Sequence, residues 1–164
     1  MRKHQISPKH LTLSRVNEII NSNAIDAVQE CRDYLDKKMQ TSEVPVYGVT
    51  TGFGSLCNTT ISLEQLSTLQ RNLVISHACG FGEEVPQEIV RLMLLLKIQS
   101  LSYGKSGVQV VTLQRLVDFF NKGVYPVVYQ QGSLGASGDL APLAHLSLPL
   151  LNLGEVYYKG KRYK

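Results

Sequence analysis

A mainly α-helical fold with one short β-hairpin is what this sequence predicts. Three observations predict it: apolar residues recur at spacings of three and four through four long segments, glycine and proline fall between those segments, and only the C-terminal stretch "GEVYYKGKRYK" alternates around a Lys-Gly turn. With 164 residues, 43% of them hydrophobic and 18% charged, the chain suits one globular domain with a sizeable core, on a scale of roughly 100–200 residues per domain.

The first helix is expected in "NAIDAVQECRDYLDKKMQ", where Ile25, Val28, Cys31, Leu35 and Met39 form a stripe with charges between them. "VPVYGVTTGFGSLCNTT" follows, and Pro45, Gly48, Gly52 and Gly54 break both helical and strand periodicity, so it is expected to be a loop. Ser62 with Gln65 three residues on predicts a capping box, opening a helix whose stripe runs through Leu63, Leu66, Leu69, Leu73 and His77. Pro86 suits the first helical position of "PQEIVRLMLLLKIQSLSYG", which ends at Gly104 and is apolar nearly all round, so this helix is expected to be central and buried. "VQVVTLQRLVDFFNKG" repeats the pattern and stops at Gly123. The C-terminal hairpin ends with its second strand barely begun, which makes the chain read as truncated.

Composition removes several function classes. The net charge of +4 is spread along the chain and lacks a basic stripe interleaved with aromatics, so no nucleic-acid partner is expected. The apolar run "RLMLLLKIQSL" is cut by Lys97 short of the roughly 20 residues a span needs, and the N-terminus has no continuous apolar core, so neither a membrane segment nor secretion is expected. Cys31, Cys57 and Cys79 are odd in number and form no CxxC, which argues against a disulfide framework or a metal site and fits a cytoplasmic location.

The densest punctuation is "GSLGASGDLAPLAHLSLPLLN", with glycine at 132, 135 and 138 around a single serine. A nucleophile elbow does not fit, because Asp139 stands where its last glycine belongs and no strand pattern precedes it. A phosphate loop at "GKS" would need glycine where Gln99 stands, and no dinucleotide fingerprint occurs. Ala136-Ser137-Gly138 has a chemistry of its own if the loop is tightly turned. The unhindered Gly138 nitrogen can close onto the Ala136 carbonyl carbon, and loss of two waters, one of them carrying the Ser137 hydroxyl, leaves an exocyclic methylidene. Asp139 is placed to assist the dehydrations, or equally to complement the dipole of a helix starting there.

These segments carry a resemblance. "GSLGASGDLAPLAHLSLPLLN", "YGVTTGFGSL" and "LQRNLVISHACG" resemble three signature segments of the aromatic amino acid ammonia-lyase family, in family order and spanning most of the chain. The family builds 4-methylideneimidazol-5-one (MIO) from Ala-Ser-Gly. The resemblance implies that residues 1–164 are the N-terminal, MIO-bearing portion of a large helical-bundle lyase, with an irregular glycine-rich lid loop and the hairpin at its C-terminal end. The family's later helices, and its later asparagine, arginine and second tyrosine, have no counterpart here.

Residue by residue, the resemblance implies Ala136, Ser137 and Gly138 as the cofactor triplet and Asp139 as the residue acting in its formation. It implies Tyr47 as the base that takes the β-proton, with Gly54 beside the substrate in the lid, and His77 at the substrate-recognition position. A tyrosine with a free pKa of about 10 needs nearby positive charge or dipoles for that task. Taken alone, Tyr47 would be an ordinary loop residue and His77 a packing residue on a leucine stripe. His145, Tyr103, Tyr125 and Tyr129 are expected to be structural, and Cys57 and Cys79 to have no catalytic part. Histidine at 77, followed by alanine, is similar to members acting on L-histidine to give urocanate and ammonia. Tyrosine elimination, an MIO-dependent aminomutase, and a non-catalytic fragment or assembly module are the alternatives. The family's usual state is a homotetramer acting on a small amino acid.

Overall fold

Two helices supply most of the core. In the computed structural model, which describes residues 4–6, 19–22, 24–41, 44–52, 54, 57–135 and 138–164, α3 (Gln87–Leu101) and α4 (Val110–Lys122) pack on each other. α3 contributes Val90, Leu94, Leu95 and Ile98, and α4 contributes Leu113, Leu116, Val117 and Phe120. Each buried side chain of this size is worth about 1.5–3 kcal/mol relative to exposure. α4 ends where Gly123 takes a left-handed φ of 68° and donates back to Phe119 and Phe120, as the C-terminal glycine predicts. α1 (Ile25–Thr41) lays Val28 into the same core, with Arg32 bridging Asp36 one turn on and donating to the Gly107 carbonyl.

α3 departs from expectation in two ways. Pro86 is its boundary residue, with φ −53° but ψ 140°, so the chain is still extended there and the helix starts one residue later. The helix is also buried on one face only: Leu94 is fully buried, whereas Leu96 is 62% exposed and Ile89 and Leu92 are also exposed. Nothing among the described residues covers that second apolar face.

α2 (Leu66–His77) is preceded by a 3₁₀ turn, Leu63–Gln65. The expected capping box is not formed. Gln65 donates its backbone N–H to the Ser62 carbonyl at 3.0 Å, and no side chain caps the helix. A 3₁₀ turn satisfies the first orphan amides through the backbone, leaving a side-chain cap less to do. α2 buries no residue completely and packs on α5 (Leu140–Ser147), which continues as a 3₁₀ turn, Leu148–Leu151.

The strands are short. β1 (His4–Ile6) pairs in parallel with β2 (Ile19–Ser22). β3 (Phe81–Glu84) runs antiparallel to β5 (Tyr129–Gln131). The expected hairpin is present as β6 (Val156–Tyr158) and β7 (Lys161–Tyr163), and β4 (Val124–Pro126) adds to it as a third antiparallel strand. A brace ties this sheet to β3: the Glu84 carboxylate accepts from Tyr157 Oη at 3.0 Å and from Arg162 at 2.6 Å, while the Glu84 carbonyl accepts from Gln130. Arg162 also pairs with Glu155, which holds the Glu155 carboxyl below its usual range. No helix among the described residues is long and apolar enough to cross a membrane.

Candidate active site

The β3–β5 ladder determines which motifs meet. α2 ends at His77, three residues separate it from β3, and the loop from Gly132 to Asp139 leaves β5 directly. Because the strands are antiparallel and Phe81 pairs with Gln131, the chain enters β3 and leaves β5 at the same end. The turn after His77 and Gly132 at the root of the loop, far apart in sequence, therefore meet.

Their junction is a contact between two glycines. A Cβ added to Gly132, whose φ is +113°, would lie 2.9 Å from Gly80 Cα, and one added to Gly80 would lie 3.0 Å from the His145 ring and 3.1 Å from the Gln131 carbonyl. Only glycine lets backbones approach this closely. The Gly80 N–H donates to His145 Nε2 at 2.9 Å. His145, only 8% exposed, also meets Tyr129 edge to face at 5.2 Å between ring centroids. Accepting that bond requires an unprotonated Nε2, and burial lowers the His145 pKa from the ordinary histidine value, favouring that form.

The loop turns back on itself, with the Gly138 N–H donating to the Gly135 carbonyl at 3.3 Å and Gly138 at φ 81°. Asp139 then takes a left-handed φ of 59°, uncommon for a residue with a side chain and often found at functional positions. Its carboxylate does not cap α5. It accepts instead from Ser133 Oγ at 2.5 Å, the short distance of a charge-assisted bond. Ala136 and Ser137 lie outside the described residues. On either side of them, Gly138 bonds back to Gly135, and the Asp139 carboxylate, next in sequence, is held by Ser133. The chain thus fits an MIO group at 136–138.

Tyr47 stands in the loop expected from its glycines. Its ring is 63% exposed, in a turn where Thr50 and Val49 donate to the Val46 carbonyl. The loop's arms are tied by Gly52 to Thr59 and Ile61 to Thr50 backbone bonds, and Gln70 of α2 reaches the Gly48 carbonyl at 3.5 Å. Gly54 is exposed, at φ 55°. Tyr47 and His77 thus both hang from α2, Tyr47 through the Gln70 contact and His77 at its C-terminus. The His77 ring is half-buried, and its Nδ1 lies 2.8 Å from the Leu73 carbonyl. Since a carbonyl only accepts, Nδ1 carries the hydrogen, and in the neutral ring Nε2 is an acceptor.

A groove of about 520 Å³ opens beside Gly138 and Asp139 along the uncovered face of α3, with Ile89, Met93, Leu96 and Leu143 among its walls. Neither Tyr47 nor His77 lines it. The described residues therefore bring the root of the 132–139 loop to the turn after His77, and its end, at Gly138 and Asp139, to an apolar groove. Ser133 and Gly80 are not singled out by the sequence, and His145 is expected there to be packing alone. Ser133 stands within the glycine motif itself, and Gly80 closes "HACG" directly after His77, so position relative to the motifs is the available signal.

Comparison with known proteins shows the family. The family model described as aromatic amino acid lyase matches residues 11–164. A histidine ammonia-lyase of Streptococcus pyogenes serotype M5 (strain Manfredo) is 51% identical over 142 residues, covering 87% of this chain and 28% of its own. The crystal structure of the histidine ammonia-lyase from Trypanosoma cruzi superposes with a TM-score of 0.85 at 33% identity, over 99% of this chain and 33% of that one. The ergothioneine-degrading enzyme ergothionase of Treponema denticola superposes with a TM-score of 0.91 at 28% identity, over 97% of this chain and 33% of that one. The chain thus spans about a third or less of the length of these relatives.

Proposed function

The chain belongs to the aromatic amino acid lyase family, and from that premise we propose that it forms the cofactor-bearing portion of an ammonia-lyase converting L-histidine to urocanate and ammonia. The observation that supports this reading is the β3–β5 pairing, with the turn after His77 meeting Gly132 at the root of the 132–139 loop; the 51% identity to a histidine ammonia-lyase supports the substrate.

Residues 136–138, cyclised to MIO, would supply an electrophilic methylidene for the substrate's amine, needed because a β-proton is too weakly acidic for a base alone. The rest falls to ordinary side chains. His77 has its Nδ1 hydrogen committed to Leu73, so Nε2 can accept from an imidazole N–H and fix the ring's orientation. Tyr47 takes the β-proton from a loop that the glycines at 48, 52 and 54 allow to close, excluding water. Asp139, held by Ser133, assists the dehydrations that make the cofactor. The uncovered apolar face of α3 fits a homotetramer in which further helices cover it, and the enzyme would work in the cytoplasm.

The test is His77→Leu in the protein expressed from its complete gene, comparing kcat/KM for histidine and phenylalanine. Losing a buried acceptor costs the imidazole roughly 1–3 kcal/mol while a phenyl ring loses nothing, so preference should move toward phenylalanine. An unchanged ratio with both activities reduced would make His77 a packing residue. Wild-type preference for tyrosine, or a β-amino acid as product, would turn the assignment to tyrosine ammonia-lyase or to an aminomutase, and a lack of turnover would leave an assembly module.

A further inference from the structure

We infer that His145 is a positioning residue of this site, holding the turn after His77 against the cofactor loop through the Gly80 N–H; the inference rests on the function proposed above. Three observations converge on it. The Gly80 N–H, three residues beyond His77, ends on His145 Nε2 at 2.9 Å. The same Gly80 packs its Cα so closely against Gly132, at the root of the 132–139 loop, that a Cβ on Gly132 would lie 2.9 Å from it, and a Cβ on Gly80 would press on the His145 ring at 3.0 Å. His145 itself lies on α5, the helix that begins directly after Asp139, and Tyr129 on β5 bounds its ring edge to face.

One imidazole therefore joins three pieces of the chain: the turn after α2 at Gly80, the start of β5 at Tyr129, and the helix after the triplet. A histidine suits the task because its buried ring fills the space beside Tyr129 while its unprotonated nitrogen satisfies an amide that would otherwise be stranded. An apolar residue of similar volume would fill the space but leave the Gly80 N–H unpaired, freeing the 78–80 turn to shift and carrying His77 away from the substrate's ring. Displacements of this order far from the reacting atoms reach catalysis through geometry.

The experiment uses the protein expressed from its complete gene, with His145→Leu and His145→Gln as the pair. Glutamine can place its amide oxygen near the position of Nε2 and accept from Gly80; leucine cannot accept. For each variant the quantities are kcat and KM for histidine, the ratio of kcat/KM for histidine over phenylalanine, the thermal midpoint, and the intact mass, which reports loss of two waters. The leucine variant is expected to lower the substrate ratio by about 10-fold, the scale of one misplaced hydrogen bond, chiefly through KM for histidine, with the mass unchanged and the glutamine variant restoring the ratio. A purely structural role would lower the thermal midpoint in both variants without moving the ratio, and that result overturns the inference. If the leucine variant does not fold, His145→Asn, whose acceptor falls short of Gly80, replaces it with the same expected drop in ratio. Wild-type protein without the mass deficit and without histidine turnover overturns the proposed function, and this role with it; wild-type turnover with an unmoved ratio in the variants overturns the role alone.

Discussion

Gly132→Ala perturbs the site without touching any group assigned to chemistry. Two costs can be read from the structure. Gly132 has a φ of +113°, and an added Cβ would meet Gly80 Cα at 2.9 Å and Gly80 N at 3.3 Å. The conformational strain of a non-glycine residue at positive φ is about 1–3 kcal/mol, and overpacking against atoms that cannot rotate away adds about 1–3 kcal/mol. Gly160 supplies the control: at φ +74° in the hairpin turn, a methyl added there would have nothing within 4 Å, so Gly160→Ala carries only the first cost. The difference between the two variants adds the close approach to the harsher φ at Gly132, and it should be at least about 1–3 kcal/mol. The assay is urea denaturation followed by circular dichroism, paired with hydrogen exchange at the β3–β5 amides, in the protein from its complete gene. Gly132→Ala should speed exchange in that ladder, and Gly160→Ala should not. Equal destabilisation by the two alanines, with the ladder amides unaffected, would refute the glycine contact as the element that aligns the two motifs.

Two further outcomes are expected. Tyr47→Phe keeps the ring and removes the titrating oxygen, so kcat for histidine should fall by about 10²-fold or more, as for a general base; near-normal single-turnover rates would assign the base elsewhere. The His145 pKa is lowered from 6.5 by burial, so at mildly acid pH the unfolded chain binds the proton more readily than the folded one, and stability must rise with pH there. This contribution is whole above about pH 6.5 and is lost as pH falls through the lower, folded value; thermal midpoints of wild type and His145→Gln between pH 8 and pH 5 should diverge only on the acid side, and parallel profiles would show that His145 is not the group responsible.

Most of the helical frame was legible in the sequence, because α4 buries a stripe whose spacing is visible residue by residue, α1 and α3 carry helical spacing or length between glycine and proline boundaries, although α1 buries only Val28, and Lys159-Gly160 marks the hairpin turn. The Tyr47 loop was legible for the opposite reason, since its glycines break every period. What could not be read was the pairing of Phe81–Glu84 with Tyr129–Gln131. "FGEE" and "YQQ" are short, polar and without alternation, so nothing local distinguishes them from loop. Their partnership comes from the helices that flank them. The meeting of the turn after His77 with the 132–139 loop was thus available from resemblance but not from periodicity. The uncovered face of α3 escaped for a related reason: an all-round apolar pattern says that both faces seek cover, not that one chain provides it.

The brace at Glu84 has a consequence for timing. Glu84 reaches Tyr157 and Arg162, more than seventy residues downstream, and the ladder beside it joins segments almost fifty apart. Contacts of such separation form late, after the local helices, because closing long loops costs entropy before any contact repays it. On a ribosome the triplet at 136–138 would emerge before Tyr157 and Arg162 are free to lock the strand. If the triplet cyclises as proposed, a reaction that depends on a tight turn would wait for the tertiary structure, and unfinished or misfolded copies would keep these residues as ordinary peptide.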